Sequence, residues 1–189
     1  MNNYLQQSME NKEVISLYCG DKENAVFSVG IILQFTDEFV LVGLIDPNGV
    51  NDGWEIIRRR TIHHIDISGE YEKKISTLRN LRKQPEFDFL PKMSGSLLHT
   101  FCNYAKKNNL IISFLVNDDE PQTFSGIIKE LNLDNIVLEN VSDYGIPQEQ
   151  GTINLDSISR AAIGSDYEES IQLLYDNRFR LHGAGNSFA

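Results

Sequence analysis

Cysteine is scarce in this chain: only Cys19 and Cys102 occur, and no CxxC pair is present. That excludes a disulfide framework and leaves two small buried hydrophobes or half-exposed thiols. Long apolar runs are missing as well. The longest, Phe39 to Ile45, is interrupted by Gly43 and stops at Asp46, well short of the roughly 18 to 20 residues a membrane helix needs. The opening MNNYLQQSMENKE has no basic segment followed by an apolar one, so no secretory signal is read there, and a cytoplasmic protein with no membrane partner is expected. Positive charge is in short supply: 17 Lys and Arg face 27 Asp and Glu, for a net charge of −10. An indiscriminate nucleic-acid binder is thereby excluded, because neutralising phosphates requires cations to outnumber acids over the contact face.

Catalytic and metal-binding patterns are equally thin. No P-loop, GxGxxG, GxSxG or HExxH appears. His63 and His64 are adjacent, so on a strand they face opposite ways and cannot chelate one ion together. His99 and Cys102 stand at i, i+3 with no second pair at metal spacing. The loop DPNGVNDG, Asp46 to Gly53, offers oxygens at Asp46, Asn48 and Asp52 but lacks the glycine position and bidentate Glu of a calcium loop, and reads as an exposed turn. The expectation is therefore no enzyme, no cofactor and no metal. An enzyme reading reopens only if Cys19, Asp46, His63 and Asp66 meet in one cleft.

What is present is a repeat. FSVGIILQFTDEFVLVGLIDPNG begins at Phe27 and FSGIIKELNLDNIVLENVSDYG at Phe124. With Gly30 set on Gly126, the two copies run without a gap through Leu78 on Leu174, and 11 of the 49 pairs are identical. Almost all are glycine or apolar; Glu72, matched by Glu168, is the one charged pair. A duplicated active site would keep its polar residues, so the unit that was copied is a scaffold.

Periodicity describes that scaffold. In each copy an apolar stretch (VISLYC, LIISFLV) meets a polar turn, then a long strand, a tight turn, a β-branched run (FVLVGLI, NIVLENV), a glycine-containing loop and two short strands, near 56–67 and 152–163. Five short strands in this spacing read as a small antiparallel barrel. A helix follows each: SDYEESIQLL carries a capping box at Ser165 and Glu168, with Tyr167, Ile171 and Leu174 on one face, and GEYEKKISTLRNL repeats the stripe with Tyr71, Ile75 and Leu78. SGSLLHTFCNYAKKNN adds a helix ahead of the second copy, its apolar face formed by Leu97, Leu98, Phe101, Cys102 and Ala105. The expected fold is mostly β with added helices: two tandem five-stranded small antiparallel barrels, each with flanking helices. Residues 1–83 form the first barrel and its helix, 84–93 a linker marked by Pro85 and Pro91, 94–178 the second unit, and 179–189 a loosely held tail; Arg178 and Arg180, either side of Phe179, fit the cation preference of the preceding helix's C-terminus.

A short helix followed by NNLIISFLVNDDEPQTFSGIIKELNLDNIVLENV resembles the first motif of Sm and Sm-like proteins: a turn, a strand glycine and a D-x-x-N-hydrophobic-V-L type run, in that order. In the first copy FTDEFVLV is similar to the bacterial host-factor branch of the same family, with an aromatic at Phe39. The likeness covers residues 12–67 and 108–163; SH3-like and PRC-type barrels have the same strand order, and a tandem arrangement departs from the usual single-domain members. The resemblance implies edge-to-edge assembly, three chains giving a pseudo-sixfold ring, and a single-stranded RNA site with a base stacked on Phe39 and phosphate held by Arg59 and Arg60. Asn135 corresponds in the second copy, where Asp156 repels phosphate.

Each of these residues also has a structural reading. Phe39 in a β-branched strand is a core residue, Arg58 to Arg60 is a charged strand edge that discourages aggregation, and Asn135 beside Asp134 is a turn former. Two functions therefore stand at the level of sequence. The first is a non-enzymatic assembly module that contacts protein partners or further copies of itself; the alternative is single-stranded RNA binding by the first barrel.

Overall fold

The computed structural model describes residues 2–20, 26–87, 96–117 and 122–183. The remainder of the expected linker and tail, with Pro91 and residues 184–189, lies outside them. The chain is mostly β, with ten antiparallel strands in one sheet and four helices among the described residues.

Helix α1 (Asn2–Asn11) leads into β1 (Val14–Cys19), β2 (Val26–Phe35), β3 (Phe39–Ile45), β4 (Asn51–Arg58), a single 3-10 turn at Arg59–Thr61, β5 (Ile62–Ile67) and α2 (Glu70–Leu81). The second half repeats the series as α3 (Leu97–Lys107), β6 (Ile112–Val116), β7 (Gln122–Leu131), β8 (Asn135–Val141), β9 (Pro147–Asn154), a 3-10 turn at Leu155–Ser157, β10 (Ile158–Ile163) and α4 (Asp166–Gly183). From β2 onward the strands coincide at the offset of 96. In β1 the offset is 97, since Gly30 pairs with Ile15 and Gly126 with Ile112. Leu115 therefore stands where Tyr18 stands.

The glycines kept in both copies are explained by close backbone approach. A Cβ on Gly30 would be driven into the carbonyl oxygen of Gly43, and one on Gly126 into that of Glu139. Gly49 and Gly145 have φ of +80° and +71°, and each places its backbone against the helix of its own half, 2.6 Å from a Leu78 or Leu174 side chain for an added Cβ. Gly49 and Leu78 are thus kept together because they touch.

The helices are rotated from the expected stripe. α2 buries Glu72, Ile75 and Arg79, while Tyr71 is exposed; α4 likewise buries Glu168, Ile171 and Tyr175 and exposes Tyr167. Hydrogen bonds carry this rotation. Glu72 accepts from the Ser16 hydroxyl, and Arg79 donates to Asn51 (3.1 Å) and to the Pro85 carbonyl. Glu168 accepts from the backbone N–H and the hydroxyl of Ser165, the capping contact expected there. The single charged pair retained between the copies is therefore buried in both. In α3 the five residues of the apolar stripe are all buried.

Strand order is β5-β1-β2-β3-β4-β10-β6-β7-β8-β9. Each half has the same internal order, but the sheet is open. β4 pairs with β10 rather than with β5, so two separately closed barrels are replaced by one continuous sheet. The reason lies in the face β4 presents. Phe39, Leu41 and Ile56 leave the core of their own half and join the core of the second, among Phe101, Phe114, Ile158 and Ala161. The first half keeps its own cluster, built on Leu5, Ile15, Leu17, Ile32, Val42 and Ile57.

Candidate functional site

Two regions of the chain bear on function: the junction between the halves and the two sheet edges left over at its ends. The junction is built from Arg58. Its aliphatic stem and guanidinium are 7% exposed, and the guanidinium lies 4.5 Å from the centre of the Phe39 ring. It donates to the carbonyl of Ile158 (2.8 Å) and to that of Leu155 (3.0 Å), both in the second half, and to Glu38 at 3.1 Å. A second polar clasp involves Glu55, three residues before Arg58: Arg160 donates to Glu55 at 2.7 Å and to the Ser28 hydroxyl, which itself donates to Glu55 at 2.5 Å. Charges this enclosed are tolerable because each is paired and hydrogen-bonded.

The sequence-derived site residues fall into this frame. Phe39 is 2% exposed, with one ring face against Arg58 and the rest inside the joint core, whereas a base-stacking platform requires an open face. Arg59 is held at the β2–β3 turn, donating to the Thr36 carbonyl at 2.7 Å and to Asn2, with Asp37 at 3.7 Å. Arg60 is exposed. Arg58, Arg59 and Arg60 do not form one charged strand edge, because Arg58 is buried at the end of β4 and a 3-10 turn takes over from Arg59. Asn135 is the counterpart of Phe39 and accepts from Asn132 at 2.9 Å, closing the β7–β8 turn. Thus Phe39 and Arg59 are neighbours at one turn, and Asn135 sits in the equivalent turn of the other half.

Of the four residues of the enzyme reading, Asp46 and Asp66 are engaged with other groups. Asp46 accepts from the backbone of Asn48 (2.9 Å) and Val50 (2.7 Å), fixing its own loop. Cys19 is buried, and desolvation pushes its thiol up to about 11; a nucleophilic thiol is shifted the other way. His63 is exposed, and Asp66 pairs with His64 at 2.8 Å. Among the described residues no group of His, Cys, Asp and Glu is arranged to hold a metal ion, and no helix is long and apolar enough to cross a membrane.

Among the described residues the outer edges are β5 and β9, each paired on one side only. Beside β5 lies a groove of about 360 Å³ lined by Tyr18, Phe27, Asp66, Glu70, Tyr71 and Glu72. Tyr18 stacks on Phe27 with ring centres 5.4 Å apart, Tyr71 meets Phe27 edge-on at 6.1 Å, and His64 lies 5.2 Å from Tyr18. Burial, followed by the hydrogen bond and charge of Asp66, raises the Tyr18 hydroxyl above its ordinary range. This aromatic group escaped sequence reading because its members come from β1, β2, β5 and α2. The second half has a groove of about 460 Å³ at the corresponding helix start, where Tyr167 donates to Asp143 at 2.8 Å.

No family model matches the chain, and no curated protein matches it in sequence.

Proposed function

We propose that this chain is a non-enzymatic protein-interaction module, built from two Sm-like five-stranded units joined edge to edge in one open sheet, that works through the strand edges left open at β5 and β9. The observation that carries the reading is the β4–β10 junction. There Arg160 pairs in register with Ile57, Ala161 with Ile56, Ala162 with Glu55 and Ile163 with Trp54. One half thus receives the other by strand addition, with backbone hydrogen bonds giving affinity and side chains giving selectivity. The same two kinds of edge recur, unpaired, at the ends of the sheet, and an unpaired edge is a template for a further strand. Net charge of −10 favours protein over nucleic acid as the occupant.

The test is a photo-crosslinking residue placed at exposed His63 on β5, with the same residue at Lys107 on α3 as a control, in cells that produce the protein. Adducts to polypeptide at position 63, absent at position 107 and lost when Ile65→Pro is added, are expected. Adducts to RNA at position 63, or none to protein, would overturn the reading.

A further inference from the structure

The internal junction is a template for what the free β5 edge should receive. β10 and β5 are equivalent strands, so a strand added to β5 in the register of β4 would meet Ile67 where Trp54 meets Ile163, Asp66 where Glu55 meets Ala162, and Ile65 where Ile56 meets Ala161. In the junction Ala161 and Ile163 are fully covered. At the free edge Ile65 and Ile67 remain half-buried on the core of the first half. An occupant is therefore required to be apolar at two positions separated by one.

The intervening position is set by charge. It would project from the outer face opposite Asp66, beside the groove whose other carboxylates are Glu70 and Glu72 and whose rings are Tyr18, Phe27 and Tyr71. A cation is the group that carboxylates and π-faces both attract. One ring of this group already meets a cation: Lys74 Nζ lies 6.0 Å from the Tyr71 ring centre.

The chain's own second edge does not have this chemistry. At the places of Trp54, Glu55 and Ile56, β9 carries Gln150, Gly151 and Thr152, and Asn154 stands for the Arg58 clasp. Behind it, Asn135 and Val137 replace Phe39 and Leu41. Glu149 would add a further carboxylate to an acidic groove. A head-to-tail contact between copies would have neither the apolar fill nor the clasps of the junction, and β9, exposed and headed by Pro147, has the character of a protected edge.

We infer that β5 receives an extended segment of a different protein with an apolar–basic–apolar alternation, its basic side chain entering the groove of Tyr18, Phe27, Tyr71 and Asp66. This rests on the edge-contact reading above. The probe is a set of fluorescein-labelled peptides titrated against the full chain by anisotropy: residues 51–60 carrying Glu55→Arg, the same residues with Glu55 retained, and residues 147–156.

The arginine peptide is expected to bind about tenfold tighter than the Glu55 peptide, and the 147–156 peptide most weakly of the three. Asp66→Asn should erase most of the preference for arginine while Ile65→Pro removes binding altogether, both with the wild-type circular dichroism spectrum. Equal binding of the first two peptides, or tightest binding by residues 147–156 with growth of mass on concentration, would overturn the inference and leave edge contact standing. No binding by any peptide would overturn it as well, and the crosslink at position 63 then decides the broader reading separately.

Discussion

Arg58 and Ile158 stand a hundred positions apart, and the guanidinium Nε of the first donates to the carbonyl of the second at 2.8 Å. The bond crosses from one copy of the repeat to the other, and its counterpart position in the second copy is Asn154, at the outer edge. Two nearly equivalent halves are thereby made unequal: one edge is clasped internally and the other is left for solvent or a partner.

Removing that clasp should loosen the junction first. Arg58→Ala leaves the Ile158 and Leu155 carbonyls without their donor and is expected to cost about 2–3 kcal/mol, measured by urea unfolding. Arg58→Lys should recover only part of the loss, since an ammonium cannot address three acceptors in the plane of a guanidinium. Full recovery by lysine would mean that charge alone matters at this position.

Glu55 and Arg160 form the second clasp, with side chains 7% and 11% exposed. A double-mutant cycle with Glu55→Gln and Arg160→Met should give a coupling of about 1–3 kcal/mol. Additive effects, by contrast, would show that the two halves are held by apolar packing without help from this pair.

Phe39 separates packing from stacking. Its ring fills the joint core, so Phe39→Ala is expected to lower stability by about 3–5 kcal/mol. Oligo-U and oligo-A anisotropy, run on the wild type at low and high salt, should show no salt-sensitive binding. A Phe39→Ala protein of unchanged stability that lost RNA affinity would restore the stacking role.

The buried thiols predict an alkaline limb in stability. Burial raises Cys19 from an ordinary value near 9 to about 11 and raises Cys102 further. The unfolded thiols ionise first, so the contribution of the protonated native thiols is complete below about pH 9 and declines as pH rises from there. Cys102→Ala should lower stability at neutral pH yet give a shallower decline above pH 9, read from urea midpoints across pH. Thiol reagents should label both cysteines of the native protein slowly. A steeper alkaline decline in the variant would contradict the assignment.

The repeat, the order of the strands and three of the helices were legible in the sequence, whereas β4 and β9 begin at Asn51 and Pro147, ahead of the stretches near 56–67 and 152–163 expected for them. These features are local: a period of two or 3.6 residues and a turn former at each boundary act over a few positions. α1 went unread because its segment is polar apart from Leu5 and Met9, which pack on the core of the first half. That β4 seeks β10, that Phe39 and Arg58 are buried between the halves, and that Glu72 is buried while Tyr71 is exposed emerge only from the packed fold. Those outcomes depend on which face of one sheet meets another, and no periodicity within either copy encodes a pairing between residues about a hundred positions apart. The aromatic and acidic groove at β5 follows from the same cause: its residues are scattered through the first copy and converge because β1, β2, β5 and the start of α2 fold against one another at the end of the sheet.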